Sequence, residues 1–227
     1  VSQAWEDAYA SRPQAFRHYP NEELVRFMGR TLLKGMEAAA RSTTRVLEVG
    51  CGNAANLWAV AAEGFEAHGV DLAPAGLRLA QATLDRRGVH AALTLGDATG
   101  LPYRTGGFDA AFDVVTLQHL PFERLAAAYT EVHRVLRPGG SFFSCHMGAG
   151  TWDHDHGGGR LVGHHTFDNM GPGALFPNLG TISLPEAGDL ERELLGAGFR
   201  SIEIEDVVKS YDNRTRHAQY LIVTCVR

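Results

Sequence analysis

Three acids placed at intervals along the chain, Glu48, Asp71 and Asp97, each sit at or just beyond the end of a short apolar run. The first stands two residues before a glycine turn, Gly50-Cys51-Gly52. Glycine permits positive φ and lets a ligand lie against bare backbone, so a buried apolar run that breaks into this turn reads as a cofactor cradle. The spacing Gly50-x-Gly52-x-x-Ala55, with Asp71 the expected distance downstream, satisfies the dinucleotide fingerprint, and on spacing alone a nicotinamide oxidoreductase stays open. Glu48 weighs against it, because a carboxylate at that place opposes a pyrophosphate and suits a cationic ligand. Asp71, at the end of the strand beside the glycine turn, can accept hydrogen bonds from both hydroxyls of a ribose; capping the following helix is its plainer role.

The stretch Glu48-Val-Gly50-Cys-Gly52-Asn-Ala54 resembles motif I of the class I S-adenosylmethionine (SAM) methyltransferases, E/D-x-G-x-G-x-G, with Ala54 in place of the third glycine. Gly96-Asp97-Ala98 is similar to that family's adenine-contacting segment. The run Phe108 to Pro121 resembles its fourth motif, and Leu136-Arg-Pro-Gly-Gly140 its turn into the fifth strand, so the likeness is continuous from about residue 44 to residue 147. The resemblance implies SAM as cofactor, held by Glu48, Gly50, Cys51, Gly52, Asn53, Asp71, Leu72, Asp97, Ala98 and Asp113. It further implies an α/β, Rossmann-like fold, a seven-stranded and mostly parallel sheet in the order 3-2-1-4-5-7-6 closed by an antiparallel hairpin. A SAM-binding protein that transfers no methyl, such as a lyase or cyclase, is the alternative on the same fold.

Methyl transfer needs an aligned nucleophile and, for a hydroxyl or an ammonium, a proton acceptor. Asp113, His119 and His146 are the candidate bases, all expected at the exits of the fourth and fifth strands; a paired structural acid is the other reading of Asp113.

The elements that must position these residues follow from the pattern. Val46, Leu47 and Val49 predict a first buried strand and residues 53–62 a helix. Strands are expected at 66–71, 91–95, from 108, and at 141–146, with helices over 74–87 and 122–136 between them. Asn21 before two acids predicts a helix start, the helix running to about Arg41. Residues 148–183 sustain no period and predict a substrate-side insertion. Trp152, His164, His165, Phe167 and Phe176 are its candidate substrate contacts, and no metal site is expected, since no histidine pair has the H-E-x-x-H spacing. A helix over 184–197 and two β runs, 200–209 and 218–226, end the chain. The aromatic leader, Trp5 to Tyr19, is expected to fold over the cofactor, Tyr19 reaching its methionine end.

With 227 residues the chain suits one domain, 1–227: a lid and helix (1–41), a cofactor core (42–147), the insertion (148–183) and a helix with hairpin (184–227). A net charge of −5 argues against nucleic acid and for a small metabolite, including those of bacterial specialised metabolism, whose oxygen, nitrogen or carbon accepts the methyl. Three separated cysteines read as buried thiols and predict a cytoplasmic protein; no apolar run reaches membrane-span length, no signal peptide is evident, and a homodimer is left open.

Overall fold

The structure, a computed structural model, describes residues 2–12, 14, 16–177 and 180–227. Residues 1, 13 and 15 of the expected lid and 178–179 of the insertion lie outside the described residues. The chain opens with three helices, α1 (Ser2–Ser11), α2 (Glu22–Phe27) and α3 (Ala38–Arg41). It then alternates through β1 (Arg45–Val49), α4 (Leu57–Ala62), β2 (Glu66–Asp71), α5 (Pro74–Arg87), β3 (Ala92–Leu95), β4 (Phe108–Val114), α6 (Leu125–Val135) and β5 (Leu136–Met147). The insertion holds α7 (Trp152–His156), β6 (Arg160–Gly163), β7 (Thr166–Asp168) and β8 (Ile182–Ser183). After it come α8 (Ala187–Gly196) and the hairpin β9 (Arg200–Tyr211) and β10 (Arg216–Val226).

The main sheet runs β3-β2-β1-β4-β5-β10-β9. Setting aside the three insertion strands, this is the expected order 3-2-1-4-5-7-6. Strands β1 to β5 pair in parallel, and β10 is antiparallel to both its neighbours. The winding reverses between β1 and β4, where Brändén's rule places a ligand beyond the carboxyl ends. One face of the sheet packs Leu47, Val49 and Phe142 against Tyr129 and Val132 of α6; the other packs Val46, Phe112 and Phe143 against Leu24, Phe27 and Leu57 of α2 and α4. In β2, Gly69 has no room for a side chain: a Cβ there would stand 2.7 Å from both Cys51 Sγ and Leu57 Cδ2, so the glycine lets the loop after β1 sit low on the sheet.

Several boundaries depart from the sequence pattern. Asn21 caps α2, its Oδ1 accepting from Glu23 N at 2.8 Å and Leu24 N at 3.3 Å, yet the helix does not run to Arg41. It widens into a π turn at Met28–Leu32 and stops, with Gly35 at φ +70°, because Gly29 and Gly35 are poor helix formers. Helix α4 starts at Leu57, not Asn53, since both intervening asparagines spend their side chains on other segments. The strand β5 begins at Leu136, taking the Arg-Pro-Gly-Gly turn into its ladder across an irregular register with β4. The insertion is not a plain loop. Its β6, β7 and β8 form a separate three-stranded sheet over a small core of Met147, Phe167, Met170, Ala174, Ile182, Leu184 and Ala218.

Candidate active site

A cavity of about 210 Å³ opens at the carboxyl edge where the winding reverses. Its floor is the turn after β1. Gly50 and Gly52 have φ +72° and +48°, and a Cβ on either would collide, with the Thr116 side chain at 1.9 Å and with the Tyr9 hydroxyl at 2.3 Å. Thr116 Oγ1 also donates to Gly50 O at 3.1 Å, tying this turn to the exit of β4. Cys51, Gly52 and Asn53 line the cavity, and Asn53 Nδ2 donates to Arg17 O at 2.8 Å, drawing the leader over the opening.

Glu48 ends in the cavity wall and is 1% exposed. Its Oε1 accepts from Asn56 Nδ2 at 2.8 Å, while Oε2 is buried with no hydrogen-bond partner among the described residues. Burial pushes its pKa up to about 8, the Asn56 bond pulling the other way and Asp71 and Asp113 adding to the rise. A neutral carboxyl in a cavity wall with one unsatisfied oxygen is a seat for a cation or a hydrogen-bond donor.

Asp71 closes β2, its Oδ2 accepting from Gly52 N and its Oδ1 from Ala73 N, each at 2.8 Å. These bonds aim the carboxylate along the loop and leave further lone pairs for ligand hydroxyls. Burial raises its pKa against the pull of those same backbone bonds. Leu72, 40% exposed, lines the cavity beside it, and Asp97 and Ala98 stand at the far end. Asp97 Oδ1 takes both the amide and the hydroxyl of Thr99 at 2.8 Å, and Arg124 lies 3.6 Å from Oδ2. Partial burial raises its pKa, but the Thr99 bonds and Arg124 outweigh that and hold it below the ordinary value.

The lid is α1. Trp5, Tyr9, Phe16 and Arg17 line the cavity; Trp5 meets the His119 ring edge-on at 4.7 Å, and the Tyr9 and Phe16 rings lie 4.4 Å apart, tilted by 36°. Glu6 anchors the helix, accepting from Ala75 N at the start of α5 (2.7 Å) and pairing with Arg78 (3.2 Å). Tyr19 lies elsewhere: it is 66% exposed, lies under the Arg87 guanidinium at 5.1 Å and does not line the cavity. The leader doubles back before reaching it, so the covering rings are the pair one helical turn apart, Trp5 and Tyr9, a spacing visible in the sequence. Asn56 and Thr116 carry no such signal; their roles depend on the fold alone.

Of the three candidate bases, one lines the cavity. His119 Nδ1 lies 3.1 Å from Thr181 O, which makes it the protonated nitrogen and leaves the lone pair on Nε2, where the Gln118 amide approaches at 3.4 Å, and burial lowers the ring's pKa to about 4. Asp113 is fully buried below the cavity. Its Oδ1 accepts from Thr116 N and Leu117 N at 2.9 Å and its Oδ2 from Ser144 Oγ at 2.8 Å, so it ties down the chain leaving β4 and does not line the cavity. His146 is likewise enclosed, Nδ1 on Met147 O at 2.8 Å and Nε2 buried without a partner among the described residues. Trp152 stacks on His156 at 3.9 Å, Phe167 and Phe176 pack in the insertion's own core, and His164 and His165 face Asp189. None of these five lines the cavity, because the insertion buries its apolar rings in itself.

Residues 46–140 match the model of the methyltransferase domain family. Demethylmenaquinone methyltransferase of Thermus thermophilus is 32% identical over 105 residues, 45% of this chain and 47% of that protein; the chain spans less than half the length of the curated relatives it matches. A SAM-dependent methyltransferase from Methanosarcina mazei superposes with TM-score 0.69 at 19% identity, covering 87% of this chain and 97% of that one. The [4+2]-cyclase SpnF superposes with TM-score 0.63 at 20% identity, over 99% and 92%. Residues 46–140 thus carry a methyltransferase domain, and the strand order around its cradle is that of the class I SAM-dependent methyltransferase fold.

Proposed function

We propose that this protein transfers a methyl group from SAM to a nucleophile of a small metabolite. The observation that carries the reading is the Glu48 carboxyl, buried with one oxygen unpartnered among the described residues, in the wall of the cavity that the glycine turn and the two strand-end acids also line. Those residues fit the cofactor. Gly50 and Gly52 leave backbone open to the methionine portion, Glu48 receives its ammonium, Asp71 the ribose hydroxyls and Asp97 Oδ2 the adenine amine. Bound there, SAM supplies a methyl already activated by its sulfonium. The protein's part is alignment and exclusion of water, which Trp5, Tyr9 and Phe16 provide without adding charge beside a cation. His119 is neutral at pH 7 with its lone pair on Nε2, and acts as acceptor for the proton an attacking hydroxyl or ammonium gives up.

A small, partly covered cavity in a chain of net charge −5 favours a compact metabolite over a nucleic acid. Titration calorimetry with SAM and with NAD tests the cofactor; tight NAD binding without SAM binding would sink the proposal. Incubation with SAM and an acceptor panel should yield S-adenosylhomocysteine in step with a product heavier by one methylene. The likeness to a cyclase supports a second reading, SAM binding without transfer: acceptor turnover with no S-adenosylhomocysteine would favour it.

A further inference from the structure

On the far side of the insertion, two consecutive histidines converge on one carboxylate. Nε2 of His165 lies 2.6 Å from Asp189 Oδ2, and Nε2 of His164 lies 3.9 Å from Asp189 Oδ1. Consecutive residues of an extended chain point to opposite sides. Here His165 has φ +48°, and the reversal brings both rings to one side, centroids 4.0 Å apart. One donor atom from each of the three side chains falls within 4.8 Å of the other two. Asp189, at the start of α8, is 6% exposed, and His165 is largely covered, so two of the three donors are already withdrawn from solvent.

Tetrahedral zinc bound at about 2.0–2.2 Å sets neighbouring donors roughly 3.3–3.5 Å apart. The 2.6 and 3.9 Å separations run to the two different oxygens of Asp189 and bracket that spacing, so a turn of the carboxylate and of the exposed His164 ring is what the ion requires. We propose that His164, His165 and Asp189 form a three-ligand site for a divalent transition ion, zinc by its donor set of two imidazoles and a carboxylate, with water in the fourth position. One cation already competes. The Arg192 guanidinium bonds Asp189 Oδ1, but its side chain is 70% exposed and Asp189 is its sole hydrogen-bond partner among the described residues. A guanidinium this far in solvent, held by a single pair, yields to a metal ion at the buried carboxylate.

The ion would act as a clip. Phe122 meets the His164 and His165 rings edge-on at 5.1 and 5.7 Å, and its amide donates to Thr166 Oγ1 at 3.0 Å. Zinc would thus fasten the β6–β7 turn to α8 and stiffen the segment that carries His119. This site lies outside the cofactor cavity, and its test is independent of any methyl transfer.

The experiment uses the full, untagged chain loaded with zinc sulfate, dialysed, and read by elemental analysis, calorimetry and thermal melting. One zinc per chain is expected, with a melting temperature that rises on addition and falls with chelator. His164→Ala, at a site 59% exposed and therefore safe for folding, should weaken binding by at least the 10–100-fold that loss of a supporting contact costs. Arg192→Ala should bind zinc more tightly, because the rival cation is gone. A wild-type chain without stoichiometric zinc, or uptake that His164→Ala and His165→Ala leave unchanged, overturns the proposal.

Discussion

The substitution Glu48→Gln separates a cation seat from a structural acid. With a pKa of about 8, Glu48 is about nine-tenths protonated at pH 7 in the ligand-free protein. If the cofactor's ammonium takes the ionised carboxylate, each binding event at pH 7 releases about 0.9 proton, and affinity rises close to tenfold per pH unit below about 8. Glutamine imitates the protonated form and abolishes both effects. Affinity itself is the weaker measure. A charge-assisted hydrogen bond contributes about 1.5–3 kcal/mol, and removing the proton at pH 7 costs about 1.4 kcal/mol, so the net loss there is no more than about tenfold. Proton release, from calorimetry in two buffers of different ionisation enthalpy, is therefore the assay. The same pKa works against the ligand-free fold: a carboxyl held above its ordinary 4.5 contributes stability that is full below about 4.5 and lost as pH rises through 8. Glu48→Gln should accordingly melt higher than the wild type at pH 7 without ligand. Wild-type binding that releases no proton, or a variant that releases as many, refutes the reasoning.

Asp113→Asn turns one acceptor oxygen into a donor against Thr116 N, Leu117 N or Ser144 Oγ; a loss of about 1–3 kcal/mol is expected in denaturant melts, with cofactor affinity of the folded fraction preserved. His119 and His146, both lowered from 6.5 to about 4 chiefly by burial, contribute stability that is full above pH 6.5 and lost as pH falls towards 4; melting temperatures should drop across that window, and His146→Gln should shallow the drop. Trp5→Ala removes the ring that covers His119, and stopped-flow displacement should show S-adenosylhomocysteine leaving about 2–10-fold faster; an unchanged off-rate would take the lid role from α1.

The parallel half of the sheet was legible because its strands are buried on both faces and each ends in a loop with a motif. Gly50, Gly52 and Asp71, singled out by spacing, and Asp97, singled out by resemblance, all line the one cavity, since backbone geometry at a strand end is local. Asp113 was not legible: whether an acid in a strand faces a ligand or ties the backbone turn beyond it depends on that turn, which folds back onto its Oδ1. The insertion misled for a related reason. Its rings signal burial, but only the three-stranded sheet decides that Phe167 and Phe176 turn inward to Met147 and Leu184 rather than to the cavity. Tyr19 was assigned by its nearness in sequence to α2, whereas the residue that reaches the floor, Tyr9, gets there because α1 docks on α5.

That docking leaves the lid responsive to ionic strength. Besides its apolar and aromatic contacts, α1 is tied to the domain by Glu6, which caps α5 and pairs with an Arg78 side chain that is 68% exposed. Dissolved ions screen an exposed pair and the partial charge of a helix end, but barely touch bonds as buried as those of Asp113. Added salt should therefore loosen the door while leaving the room intact, so that bound cofactor exchanges faster at concentrations that do not alter the melting of the sheet.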